Sequence, residues 1–299
     1  MSTAAAAAGP EQRARRARLA ATLLVILAAT LWSTSGLVFR LLEETEQWRI
    51  VAWRSGTLAP FLLVLMFIRA RGRPIRMIRA AGWPAVLAGL FLGGAFTFWI
   101  LALGATSVAN AVFLLCCSPV ASVLLARAFL GEAITRATAL AVLGVIAGTL
   151  VINAGAMQAG GLAGNLWALA TAFAFAAYTV TVRFKHSTDM LPAVFYAAVF
   201  SAVAGLVVME GDIAIRPRDA LLSVILGVVQ VGIGLVLFTA GARHLPAVEL
   251  TLLSLIEVVL APIWVWALLG EQPATQTLIG GLILLAAVSL PALWRPART

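Results

Sequence analysis

Glu257 stands inside an apolar run over residues 244–268, thirteen residues from one end and eleven from the other. At helical rise that is roughly 16 to 20 Å from either edge. A carboxyl at such depth is costly unless it faces a bundle interior or a wet cavity. Its chemistry there would be to carry a proton or contact a substrate amine; the alternative is a structural carboxyl bonded to a neighbouring helix. Glu249 lies five residues into the same run, and Asn110 five residues into the run 105–127. The eight residues between Glu249 and Glu257 give an offset of about 80° on a helix, so the two share a broad face without forming a close carboxylate pair. Arg54, about 9 Å inside the run 48–68 by the same rise, has three readings: a contact to a substrate carboxylate or Glu257, a structural salt bridge, or a side chain that snorkels outward. Gln230, midway along the run 220–240, is a further polar candidate for a cavity wall.

Aromatic residues accompany these groups. Trp32 stands beside Ser33, Thr34 and Ser35, and Phe175 is followed by Tyr178 and Thr179. With Trp53, Phe98, Trp99, Phe113 and Trp264 they suit either a cavity for apolar or aromatic substrates or core packing. Trp48, Trp83, Trp167 and Trp294 fall near the ends of apolar runs, where tryptophan anchors a helix at the membrane interface. Glycines at Gly89, Gly93, Gly94, Gly144, Gly148, Gly227, Gly232 and Gly234 permit close helix approach or bending, and Pro119 and Pro262 predict kinks.

Other chemistries find no residues to perform them. His186 and His244 lack the spacing of a zinc protease, and Lys185, the single lysine, lacks the glycine of a phosphate-binding loop. Asp189, Asp212 and Asp219 lie in or near loops, which disfavours an intramembrane aspartyl protease. Cys116 and Cys117 are adjacent within an apolar run, poor geometry for a disulfide and no metal-ligand set. No nucleophile, base and orienting group can be assembled. The reading is of a protein that is no enzyme and holds no metal and no cofactor.

The elements that must position these groups follow from composition. Of 299 residues, 62% are hydrophobic and only 11% charged, an apolar share that rules out a water-soluble globule. The charges cluster between apolar runs of about 20 residues, each long enough to cross a bilayer as a helix. Ten spans are predicted: 19–39, 48–68, 80–103, 105–127, 136–154, 162–182, 190–209, 220–240, 244–268 and 274–294. Short joints make neighbours antiparallel. The run after Arg13, Arg15, Arg16 and Arg18 is of span length and reads as an uncleaved first helix. Sixteen of the 21 Lys and Arg fall on the side of both termini and four (Arg40, Arg49, Arg216, Arg218) on the other, with Arg54 within a span. The positive-inside rule therefore places both termini in the cytoplasm. The net charge of +9 is thus a matter of topology, and nucleic acid is not an expected partner.

The chain also resembles itself. A shift of 139 residues lays Leu130-Gly131-Glu132 on Leu269-Gly270-Glu271, and a shift of 143 lays Trp32 on Phe175, Arg40 on Arg183, Glu46 on Asp189 and Trp53 on Tyr196. Each half then holds five spans, and an odd number forces the second to enter the membrane inverted. The expected organisation is a basic segment 1–18, a first repeat 19–154, a linker 155–161, a second repeat 162–294 and a tail 295–299. The fold class is all-α, ten transmembrane helices in two inverted five-helix repeats. Asn110 and Glu249 become counterparts on opposite sides of the midplane, suited either to gating or cavity-mouth positions or to simple contact with interfacial water.

The Trp32-Ser33 pair, the Ala52-Trp53-Arg54 of span two, Ser118-Pro119 ahead of Gly131-Glu132, and Ile256-Glu257 ahead of Leu269-Gly270-Glu271 resemble the drug/metabolite transporter superfamily, in its ten-helix branch of two EamA-type repeats. The resemblance covers nearly the whole chain after residue 19. One departure is Val258, where members often carry proline after the glutamate; Pro262 follows four residues later. The resemblance implies a secondary transporter of small metabolites with substrate between the halves, and is closest to amino-acid exporters, including those of the YddG type for aromatic amino acids. A multidrug or organic-cation exporter is the alternative, with a channel or scaffold behind it. Expected substrate-contacting residues are Trp32, Ser33, Trp53, Arg54, Phe98, Trp99, Asn110, Phe113, Phe175, Tyr178, Gln230 and Glu249, with Glu257 coupling transport to protons. The expected partners are a small-molecule substrate (an amino acid or related metabolite), protons and the lipid bilayer of a bacterial-type inner membrane, with the chain as monomer or homodimer.

Overall fold

In the computed structural model the described residues are 10–131, 136–159, 161–183, 189–242, 245 and 247–294, and among them there is helix and no strand. The helices are α1 (Pro10–Ser33), α2 (Ser35–Arg40), α3 (Gln47–Arg69), α4 (Pro74–Ala105), α5 (Val108–Leu115), α6 (Ser118–Leu130), α7 (Arg136–Ala159), α8 (Leu162–Arg183), α9 (Leu191–Val208), α10 (Pro217–Val224), a π-helical segment (Ile225–Ile233), α11 (Gly234–Ala242), α12 (Ala247–Leu269) and α13 (Thr275–Trp294). Among the described residues seven stretches are long and apolar enough to cross a membrane, and shorter apolar stretches in α7, α12 and α13 bring the spans to ten. Hydrophobic residues such as Leu23, Phe67, Leu150 and Val207 are exposed on the outside of the bundle, as a helix surrounded by lipid requires.

The breaks in these helices have local causes. Ser33 and Thr34 turn their hydroxyls back onto the carbonyls of Thr30 and Leu31, both at 2.7 Å, competing with the helical ladder where α1 gives way to α2. In the fourth span, Pro119 has no N–H and its ring clashes with a carbonyl one turn back. The amides of Cys116 and Cys117 bond instead to Phe113 and Leu114, each at 3.0 Å, and this separates α5 from α6. Pro262, by contrast, lies inside a continuous α12, so the kink predicted there does not interrupt the helix. The third span, predicted to start at residue 80, begins earlier: α4 starts at Pro74 and turns at Gly82, whose φ of 65° suits only glycine. The eighth span takes an extra residue per turn through the π segment, a departure that hydropathy does not register.

Numbering the spans one to ten (α1 with α2, α3, α4, α5 with α6, α7, α8, α9, α10 to α11, α12, α13) exposes a symmetry of contacts. Span one packs on eight and nine, and span six packs on three and four; span two packs on eight, and seven on three. Spans two and seven pack together, as do five and ten. Adding five to each span number maps this set onto itself, as two five-helix repeats related by a two-fold axis in the membrane plane require. The glycines obey it too. A Cβ on Gly93 in span three would stand 3.0 Å from the carbonyl of Ala197 in span seven, and one on Gly232 in span eight 2.6 Å from the Phe61 ring in span two. Gly144 and Gly148 face Ala287 and the Gly280 carbonyl of α13, so they serve a contact within the chain.

Candidate functional site

The break between α1 and α2 frees backbone groups in the middle of the bundle. Gln230, held by the π segment and buried, donates its amide to the carbonyl of Trp32 at 2.8 Å. The Trp32 ring tilts on Phe238 with centroids 5.3 Å apart and lies against Gly234, where a larger residue would collide with the indole. Next to it, Ser33 accepts a hydrogen bond from the Trp264 indole at 2.9 Å. Trp32, Ser33, Gln230 and Trp264 therefore meet along one seam between spans one, eight and nine.

Glu257 stands on the helix that brings Trp264 to that seam. It precedes Trp264 by seven residues on α12, two turns along the same face. It keeps accessible surface, as do residues 253–256 before it, and it is close enough to Cys116, at the break between α5 and α6, to act on it electrostatically. Among the described residues no donor or cation pairs with it. The alternative of a carboxyl bonded to a neighbouring helix thus finds no partner among the described residues. The side chain of Glu249 lies outside the described residues.

Arg54 does not snorkel. It is 4% exposed, donates to the Phe96 carbonyl at 3.2 Å and lies over the Phe96 ring, 5.2 Å from its centroid. Its Nε has no partner, and among the described residues it pairs with no carboxylate, Glu257 included. One residue on, Ser55 donates to Ser201 at 3.0 Å, and Ser201 meets Thr97 at 2.9 Å, a polar bridge between spans two, seven and three. Trp53 goes elsewhere: its indole donates to the Ile213 carbonyl at 2.8 Å, in the loop between α9 and α10 and away from the seam.

The remaining candidates divide between packing and a second polar network. Phe98 stacks on Trp167 at 5.4 Å, and Trp99 and Phe113 are buried in the main core cluster. Phe175 is exposed and tilts on Tyr178 at 5.8 Å; Tyr178 packs against α4 and α9 residues. Asn110 is fully engaged. Its amide donates to Thr106 and Asn165 at 3.2 and 3.3 Å, and its oxygen accepts from Thr277 at 2.5 Å. Thr106 also donates to Asn165 at 2.7 Å, and Asn165 to Asn153 at 3.3 Å. Spans four, five, six and ten are thereby tied together on the face opposite the termini.

On that same face a charge cluster completes the closure. Arg40, at the end of α2, meets Glu271 at 2.7 Å and donates to the carbonyls of Leu103 and Thr106 at 2.7 and 2.8 Å. The other Glu271 oxygen accepts the Val108 amide at 2.9 Å. Four spans thus converge on one ion pair. Nearby, Glu43 pairs with Arg216 and Arg218, and its amide bonds to Asp219 at 3.1 Å. Arg49 bridges Glu44 and Asp212 at 2.9 and 3.1 Å. Burial acts to raise the Glu44 carboxyl, but the Glu46 amide and Arg49 together outweigh it and hold the group below the ordinary range. Sequence reasoning missed this latch: Arg40 and Glu271 were visible only as a loop charge and the end of a repeated Leu-Gly-Glu, and 231 positions separate them. It also passed over Thr106, Asn153, Asn165, Thr277 and Phe96, whose polarity or ring marks them only once a partner helix is in place.

A solved structure described as "Crystal structure of protein" shares the fold, with a TM-score of 0.61 and 23% identity over 91% of this chain and 96% of that one. No functionally curated protein matches the sequence. The EamA-like transporter family matches over residues 19–154 and 162–292, one match for each half of the symmetric bundle. With a family match over each half of the symmetric bundle, the chain belongs to the EamA-like transporter family.

Proposed function

We propose that the protein is a secondary carrier that exports small organic metabolites by alternating access, with amino acids bearing aromatic or other apolar side chains as its substrates. The family membership carries the transporter part of this reading. The observation that carries the rest is the Glu257 carboxyl, unpaired among the described residues and two helical turns before Trp264, whose indole joins Trp32, Ser33 and Gln230 in one seam. A carboxylate recognises an amine by charge, indoles on neighbouring turns can add cation–π attraction, and the surrounding apolar surface suits an apolar side chain. The same chemistry supports a second reading, an exporter of organic cations without a carboxylate. A channel fits less well, because the face opposite the termini is closed by an ion pair and two polar networks and the packing obeys an inverted repeat. The excess of Lys and Arg on the side of the termini supports both termini in the cytoplasm, and we read the membrane as a bacterial-type inner membrane. No catalytic constellation supports an enzymatic reading.

The test is uptake by proteoliposomes of a panel of amino acids and aromatic cations, with and without an imposed pH gradient. Saturable uptake of amino acids that the gradient accelerates, and loss of that acceleration in Glu257→Gln, is the expected result. Full gradient-driven transport by Glu257→Gln would remove the coupling role, and uptake of the cations alone would favour the second reading.

A further inference from the structure

Five arginines, Arg69, Arg71, Arg73, Arg76 and Arg79, fall within eleven residues where α3 turns into α4. The turn is sharp: Arg71 and Gly72 both have positive φ, 50° and 82°. The chain then enters a short stretch of helix from Pro74 that ends at the Gly82 turn, so residues 74–81 form a separate segment ahead of the span proper. Between the turn and this segment lies a cleft of about 570 Å³, lined by Arg71, Arg73 and Arg76 over a floor of Ala70, Met77 and Ala80, with Asp189 at its rim. Asp189 does not neutralise the three. Its carboxylate faces Arg69 at 3.8 Å and accepts the Leu191 amide at 3.0 Å, while Arg71, Arg73 and Arg76 form no ion pair among the described residues. Three guanidiniums lining one cleft, with its single carboxylate turned to Arg69 and the Leu191 amide, call for an anion, and guanidinium suits phosphate oxygens best.

The surroundings say which phosphate. Phe67 and Ile68 at the end of α3, and Ile75 and Trp83 on α4, are all exposed, Trp83 at 74%. These four residues put exposed apolar surface and an interfacial indole on the same two helix ends that carry the basic cleft, the arrangement of a chain lying at the boundary of headgroups and acyl tails. A soluble phosphate ion has no use for such apolar neighbours. We propose that this cleft holds the phosphate-bearing headgroup of an anionic phospholipid in the leaflet on the side of the termini. The proposal rests on the positive-inside reading for the statement that this leaflet is cytoplasmic, and on geometry alone for the site.

The experiment is native mass spectrometry of the purified full-length protein titrated with phosphatidylglycerol, phosphatidylcholine or inorganic phosphate. Expected is a saturable one-to-one adduct with phosphatidylglycerol that phosphatidylcholine does not form and that millimolar inorganic phosphate does not displace. Each guanidinium near a membrane surface contributes about fivefold in affinity to an anionic lipid, so Arg71→Gln, Arg73→Gln and Arg76→Gln combined should weaken the adduct by roughly a hundredfold. Arg127→Gln, an exposed arginine elsewhere on the same side, should leave it unchanged. Equal binding of the two lipids, or an unweakened adduct in the folded triple variant, overturns the site. Displacement by inorganic phosphate overturns the lipid in favour of a soluble anion. A separate arm labels Ala70→Cys with a membrane-impermeant maleimide on intact cells. Protection is expected, and labelling there would overturn the cytoplasmic leaflet while leaving the binding data to decide the site.

Discussion

Gln230 and Asn110 show how a polar side chain in an apolar span is satisfied here. Gln230 caps a carbonyl that the α1 break exposes, at 2.8 Å, and replacing it with leucine leaves the Trp32 carbonyl buried without a donor. Such a group costs about 1–3 kcal/mol. Gln230→Leu should therefore lower thermal stability by that much, read as a reduced melting temperature in detergent. Gln230→Glu should fall between the two, since one protonated oxygen can still donate. The depth of Glu257, Arg54 and Gln230 was legible in the sequence, because charge and amide interrupt apolar runs. Their partners were not. Arg54 finds Phe96 42 positions away, Gln230 finds Trp32 198 positions away, and no local pattern encodes a meeting between distant helices. Trp53 is the sharpest case: its position inside a span says cavity or core, and only the loop between α9 and α10 supplies the Ile213 carbonyl it serves.

Helices in this bundle are specified by two kinds of signal, and the sequence carried one of them clearly. Hydropathy marks ten runs, and ten spans are found. The interruptions depend on hydroxyl back-bonding at Ser33 and Thr34, on Pro119, and on a π turn whose extra residue leaves no mark in hydropathy. Close approach is a matter of small residues. A Cβ at Gly148 would stand 2.8 Å from the Gly280 carbonyl and 2.8 Å from a Leu284 carbon, so a larger side chain must push α7 from α13. Gly148→Val should cost on the order of 1–3 kcal/mol in a thermal shift assay, while the same change at Gly56, which has open space around it, should cost well under half as much. The Arg40–Glu271 latch acts between helix ends. Its side chains are about a quarter exposed, 26% and 28%, so the pair alone is worth little. Its effect comes from the three backbone groups it ties to the ion pair. Arg40→Gln should accelerate amide hydrogen exchange at residues 103–110, which include the ends it holds, and leave α7 and α13 unchanged.

Across the whole molecule, closure is uneven between the two faces, and this has a consequence for access to Glu257. The face opposite the termini is shut by the Arg40–Glu271 pair, the Glu43–Arg216–Arg218 cluster and the network through Asn110. On α12, which starts on the termini side, residues 253–257 all keep accessible surface, whereas Val258, Ala261 and Val265 further along are buried. Glu257 closes this run of five partly accessible residues; beyond it Val259, Ile263 and Trp266 are exposed and alternate with the buried positions. Under the proposed alternating access an inverted repeat would supply the means to reverse this uneven closure, one interface between the halves opening as its counterpart closes. Ser254, one turn before Glu257 and bonded to the Leu250 carbonyl at 2.8 Å, reports on this space. A cysteine there should react with an impermeant maleimide in inside-out vesicles and be protected in right-side-out ones, while Cys116 and Cys117, both buried, react from neither side. Adding Arg40→Gln and Glu271→Gln weakens the seal opposite the termini and should raise labelling in right-side-out vesicles several-fold, with labelling from the other side reduced. Equal reactivity from both sides in the parent protein would instead describe a continuous pore. Labelling unaffected by loss of the latch would place the seal in the Asn110 network, where Asn110→Ala is the variant that should then open it.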